Sequence, residues 1–93
     1  MYGDARNMRQ AFVGNSIDYL VADAAQGRGE YLNTLAELSG CPKNKYDLFN
    51  SVVQSHYSEL FNGLTDETNP LLIKLDAVIR SNSLLKNSCW TIN

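Results

Sequence analysis

The sequence has few of the residues that metal sites depend on. It contains one histidine, and its two cysteines, Cys41 and Cys89, are far apart, so no CxxC pair exists. Zinc is usually held by four ligands drawn mainly from cysteine and histidine, and one histidine beside two distant cysteines does not match that pattern. We therefore expect neither a metal nor another cofactor.

A surplus of positive charge and long apolar runs are also missing. Lys and Arg number 8 against 10 for Asp and Glu, which gives a net charge of -2 and a pI near 5.1. Nucleic-acid binding requires cations that neutralise phosphates, so nucleic acid is not an expected partner. The longest strongly apolar run is Leu71 to Ile73, far below the roughly 18 residues of a membrane span.

Residues 1–6 lack the charged and apolar segments of a secretory signal. If the parent protein is exported, we expect its signal to lie upstream of Met1. The rest of the composition is that of a globular protein, with 44% hydrophobic and 19% charged residues. A chain of 93 residues is expected to form one domain over residues 1–93.

Apolar residues recur at steps of three and four, which predicts helices, and no segment has the period-two alternation of a strand. Four helices are predicted, the first from Arg6 to Ala25 and the second from Glu30 to Ser39. The third is expected to begin after an N-cap at Asn44 and to end at Asn62-Gly63. The fourth is expected to begin within residues 65–70 and to end at Lys86, so that residues 87–93 are non-helical. Because these helices differ in length, we expect an all-α, irregular and partly orthogonal four-helix bundle. Gly14, inside the first helix, predicts a close helix crossing.

Cys41 and Cys89 follow the predicted second and fourth helices, where the backbone can adapt to disulfide geometry. A bridge would close a loop of about fifty residues and stabilise the fold by roughly 4 kcal/mol in the chain-entropy model. On these residues alone, a disulfide and two unpaired thiols are equally supported.

His56 lies on the apolar face of the predicted third helix. We expect its ring to pack there, with one nitrogen bonded to backbone or a hydroxyl. The competing interpretation is an enzyme that uses His56 with a nearby serine or carboxylate, but no G-x-S-x-G turn supports it. The carboxylates are scattered and predict a solvated surface rather than an acid/base pair: Asp18, Asp23, Glu30, Glu37, Glu59, Asp66, Glu67 and Asp76.

The segment 26–30 places two glycines around Arg28, directly before a predicted helix. One interpretation is a tight corner, in which Gly27 ends the first helix. The other is a small-ligand or anion site formed by backbone N–H groups with Arg28, Gly29 and Glu30. We favour the corner, since a G-x-G sequence by itself is a weak signal.

The run from Val21 to Leu32, with Leu38-Ser39-Gly40-Cys41 and later Leu84 to Cys89, resembles the C-terminal half of an exported bacterial family, domain of unknown function three thousand and fifteen. This resemblance implies a periplasmic protein. Because that compartment is oxidising, it also favours the disulfide between Cys41 and Cys89. It implies no catalytic residue.

We therefore expect a non-enzymatic domain with a protein-binding or structural role, whose partner is another envelope protein. The alternatives are a ligand site at the corner from Gly27 to Glu30 and, more remotely, an enzyme centred on His56. The sequence does not indicate the oligomeric state.

Overall fold

The computed structural model of the protein describes residues 5–61 and 69–89, with side chains described for residues 8–61 and 71–89. Within these ranges the chain forms helices and no strand, so the predicted all-α class is confirmed. The helices are α1 (Ala5–Gln26), α2 (Glu30–Leu38), α3 (Tyr46–Ser55), α4 (Tyr57–Phe61), α5 (Asn69–Ser81) and α6 (Ser83–Ser88).

Apolar side chains from all six helices form one buried cluster. Helix α1 packs mainly against α2 and α3, whereas α4 and α6 pack against α5. Burying one large aliphatic or aromatic side chain contributes about 1.5–3 kcal/mol, so this cluster is the main source of stability. The larger fully buried side chains are Val13, Leu20, Leu32, Phe49, Val53, Leu75, Ile79 and Leu85.

The predicted third helix is present but is interrupted at His56, whose φ and ψ of -109° and 20° are not helical. Two side-chain groups there, the Ser55 hydroxyl and the His56 Nδ1, contact the Val52 carbonyl at 2.9 Å. Polar side chains that compete for a helical carbonyl in this way favour a break. The helix begins after a 3₁₀ turn at Lys43–Lys45 and no side chain caps it, so the predicted Asn44 cap is wrong. The predicted stop at 62–63 lies outside the described residues.

The predicted fourth helix is divided at Asn82. The side-chain oxygen of Asn82 accepts hydrogen bonds from the backbone N–H groups of Leu84 and Leu85, both at 3.1 Å, and so caps α6. Because α6 continues to Ser88, the prediction that Asn87 and Ser88 are non-helical is wrong. The predicted start before Asn69 lies outside the described residues.

Helix α1 spans 22 residues and is kinked at Ser16, whose φ and ψ of -127° and 17° are not helical. Gly14 is exposed, whereas a glycine at a close helix crossing would be covered by the neighbouring helix. The predicted close helix crossing at Gly14 is therefore wrong. Over the described ranges, none of the helices combines the length and apolar character that crossing a membrane requires.

A disulfide joins Cys41 to Cys89, and both residues are buried. Gly40, with a φ of 81°, turns the chain at the end of α2, and the Cys41 N–H then bonds to the Ala36 carbonyl at 3.0 Å. This helix end resembles a Schellman motif and fixes the direction of Cys41. Cys89 directly follows α6. The pairing favoured by the family resemblance is confirmed.

An ion pair connects α1 to α5 inside the bundle. Two Arg9 nitrogens bond to the two Asp76 carboxylate oxygens at 2.8 and 3.0 Å, and Nη1 also donates to the Ser39 hydroxyl at 3.2 Å. The side chains of Arg9 and Asp76 are 5% and 22% exposed. The prediction of a solvated surface is therefore wrong for Asp76, because a buried guanidinium needs a carboxylate partner.

Candidate functional site

The chain turns sharply between α1 and α2. Gly27 has a φ of 76°, and its N–H and that of Arg28 both bond to the Asp23 carbonyl, at 2.8 and 3.2 Å. Gly29 has a φ of 141°, a conformation that L side chains rarely adopt. The predicted corner, in which Gly27 ends the first helix, is confirmed.

The carboxylate of Asp23 lies over the N-terminus of α2. Its Oδ2 accepts hydrogen bonds from the backbone N–H groups of Tyr31 at 2.9 Å and Leu32 at 3.3 Å. These donors would otherwise be unsatisfied, and the negative charge is favourable at the positive end of the helix dipole. Asp23 therefore caps α2 from the preceding helix. The prediction that this carboxylate belongs to a solvated surface is wrong for Asp23, as it is for Asp76.

This capping bears on the predicted anion site at Arg28, Gly29 and Glu30. Two of the N–H groups that an anion would use are bonded to Asp23. Arg28 and Glu30 are exposed, and Gly29 lies against the Asp23 carboxylate, which a Cβ at that position would meet. Anion binding stays a prediction, and the arrangement observed here favours it less than the corner interpretation.

We expect Gly29→Ala to lower the free energy of unfolding by about 1–3 kcal/mol, because alanine is strained at this φ and its Cβ meets Asp23. Gly14→Ala is the matched control. That position is helical and exposed, so the same added methyl group is expected to stabilise by about 0.5–1 kcal/mol. Urea unfolding of both variants measures the difference, and shifts in the same direction would contradict the prediction.

Beside this corner, three aromatic rings lie next to one another across α1 and α2. Tyr31 stacks on Tyr19 with ring centroids 4.7 Å apart and on Phe12 with centroids 6.0 Å apart. Tyr19 is 59% exposed, whereas Phe12 and Tyr31 are half-buried. Stacking is favourable beyond the burial of the rings, and it holds Tyr31 between the two rings of α1.

A concavity of about 260 Å³ lies next to these rings and is lined by Phe12, Glu30, Tyr31 and Thr34. We call these four residues the aromatic pocket. The Thr34 hydroxyl donates to the Glu30 carbonyl at 2.9 Å. The Glu30 carboxylate makes no hydrogen bond or ion pair with another described residue.

Of the four residues of the aromatic pocket, only Glu30 was predicted from the sequence as a site residue. Phe12 and Tyr19 are seven residues apart on α1 and so share a helix face, which is the one local signal for an aromatic surface. The position of Tyr31 between them depends on how α2 folds back against α1, and no local pattern reports this.

The surroundings of His56 fit a packed ring. The residue is half-buried, and its Nδ1 lies 2.9 Å from the Val52 carbonyl and 3.2 Å from the Ser55 Oγ. A carbonyl only accepts, so Nδ1 carries the proton in that bond and cannot accept one from Ser55. The Ser55 hydroxyl itself donates to Val52. The non-enzymatic character of the chain nevertheless stays a prediction.

Among the described residues, no group of three or more His, Cys, Asp or Glu side chains is placed to hold a metal ion. Both cysteines of the chain are joined in the disulfide. Neither sulfur is therefore available as a thiolate ligand while the bridge is intact.

Comparison with known proteins gave one family. The family model described as a protein of unknown function, DUF3015, matches residues 2–89. Searches of curated proteins and of solved structures found no match. The family match spans nearly the whole chain, which extends the resemblance seen in the sequence. The chain therefore belongs to the DUF3015 family of proteins of unknown function.

Proposed function

We propose that this chain is a non-enzymatic binding domain of an exported, periplasmic bacterial protein, and that it recognises another envelope protein through the aromatic pocket and Tyr19. The observation that carries the proposal is the stacked, exposed ring of Tyr19 beside the pocket. Tyrosine is enriched at the centres of protein interfaces, because its ring offers a large contact area with little rotational freedom to lose.

The disulfide supports the proposed compartment. Disulfides persist in oxidising compartments, whereas cytosolic thiols are kept reduced. Fixing the end of α2 to the end of α6 also stabilises the bundle on which the pocket is built. A small exported domain gains most from such a cross-link, because its core alone gives a narrow margin of stability.

The compartment is tested by expressing the full reading frame in a bacterial host, separating periplasm from cytosol, and trapping thiols with a maleimide. We expect the chain in the periplasmic fraction, with both cysteines protected until reductant is added. Recovery from the cytosol with two alkylated cysteines would refute export.

The binding surface is tested with a photo-cross-linking amino acid placed at Tyr19 in cells. The matched control is Leu84, which is 56% exposed, belongs to α6 and is not one of the residues that line the pocket. We expect a discrete adduct at position 19 that is absent at 84, with a purified partner whose binding weakens in Tyr19→Ala. Equal adducts at both positions, or an unaffected affinity, would overturn the proposed surface.

A further inference from the structure

We propose that the aromatic pocket receives a lysine side chain of the partner protein. The inference rests on the proposed binding function and specifies its chemistry. The lining suits a long side chain that ends in a cation: Glu30 supplies a carboxylate, the rings of Phe12 and Tyr31 supply an apolar wall, and no cationic side chain is among the four lining residues. An ammonium group is attracted to a carboxylate, and the apolar stem of a lysine can pack along aromatic rings.

The hydroxyl of Thr34 completes this pattern. Because its proton is donated to the Glu30 carbonyl, the oxygen is left with lone pairs and acts as an acceptor toward the pocket. An ammonium group carries three donors and no acceptor, so it matches a carboxylate and a hydroxyl oxygen at the same time. An anion would meet the negative charge of Glu30 instead.

The segment of the chain that contains the pocket has a negative net charge, as Glu30 does. Between residues 10 and 42 the sequence holds four carboxylates, Asp18, Asp23, Glu30 and Glu37, and a single cation, Arg28. The nearest preceding cation with a described side chain, Arg9, is bonded to Asp76. The net charge of this segment therefore favours a cationic partner over an anionic one, by an effect that salt screens.

The size of the concavity favours a single side chain. At about 260 Å³ it lies below the roughly 300–1,000 Å³ of typical small-molecule pockets. Lysine has a flexible apolar stem that can lie along the rings of Phe12 and Tyr31 and a compact charge that reaches Glu30. The arginine guanidinium is a larger, planar group with five donors, whereas the lysine ammonium is a compact charge with three.

The inference is tested by NMR titration of the disulfide-bonded, ¹⁵N-labelled chain with N-acetyl-lysine methylamide. The control probe N-acetyl-norleucine methylamide has the same stem without the charge, and inorganic phosphate tests the anion alternative. We expect saturable shifts of the Tyr31 and Thr34 amide signals with the lysine probe alone. Raising the salt concentration is expected to weaken this binding.

The variant Glu30→Gln keeps the shape of the pocket and is expected to weaken lysine binding about fivefold, as for the loss of one exposed ion pair. Glu59→Gln is the matched control. It removes the same charge from an exposed helical position that does not line the pocket, and it should leave the affinity within about twofold.

Equal shifts with the norleucine probe, saturable shifts with phosphate in place of lysine, or an unchanged affinity in Glu30→Gln would overturn the inference. The salt dependence gives a second measurement on the unaltered chain. A partner-specific adduct at Tyr19 without lysine binding would refute only the lysine inference. Lysine binding without any adduct would support the cation pocket and refute the protein partner.

Discussion

The double substitution Cys41→Ala and Cys89→Ala is expected to lower the free energy of unfolding by about 4 kcal/mol. The bridge joins residues separated by 48 positions, and in the chain-entropy model a loop of this length restricts the unfolded chain by that amount. The free energy of unfolding of a small domain is only about 5–15 kcal/mol, so the cross-link supplies a large share of it. Urea unfolding monitored by circular dichroism gives the difference.

The control for this prediction is the unaltered chain, reduced in denaturant and refolded in the presence of reductant. It should lose nearly as much stability as the double variant, since both lack the cross-link. A large loss in the variant with little loss on reduction would assign the effect to the cavities left by two buried sulfurs. A loss below about 1 kcal/mol in both would contradict the loop-closure argument.

Asp76→Ala is expected to destabilise the fold by about 3 kcal/mol. Arg9 would then keep its charge in a site where only 5% of the side chain is exposed, with the Ser39 hydroxyl but no carboxylate of another described residue bonded to it. Removing one partner of a buried pair usually costs about 3–5 kcal/mol, and we place Asp76 at the lower end because it is 22% exposed.

The matched control is Asp18→Ala, which removes the same charge from an exposed position of α1 and should change stability by less than about 0.5 kcal/mol. Adding Arg9→Met to Asp76→Ala should restore part of the loss, because the unpaired buried charge is then gone. Additive losses in this double-mutant cycle would show that the two side chains do not act as a pair.

The interruptions at His56 and Asn82 show what local reasoning could have found. Asn82 lies between two serines inside the predicted fourth helix, and asparagine is a strong N-cap residue. The continuous apolar pattern outweighed this signal in the prediction, although the cap and the pattern are compatible when the chain bends at one residue. The break at His56 likewise occurs where two polar side chains, Ser55 and His56, bond to the same backbone carbonyl.

The corner from Gly27 to Glu30 was predictable only in part. The glycines indicated a turn, and the positive φ values of Gly27 and Gly29 explain why glycine is needed there. The capping carboxylate was not predicted, because Asp23 belongs to α1 and bonds to residues eight and nine positions later. Which carboxylate reaches a helix end depends on the direction in which the chain leaves the turn.

The sequence by itself determined the helical class, the limits of α1 and α2 and the positions of both cysteines at helix ends, because periodicity and glycine stops act within a few residues. Tertiary structure alone decided the contact between Arg9 and Asp76, 67 residues apart, and the stacking that forms the aromatic pocket. An amphipathic pattern states which face of a helix is buried. It does not state which neighbour covers that face, because this depends on the packing of all the helices together.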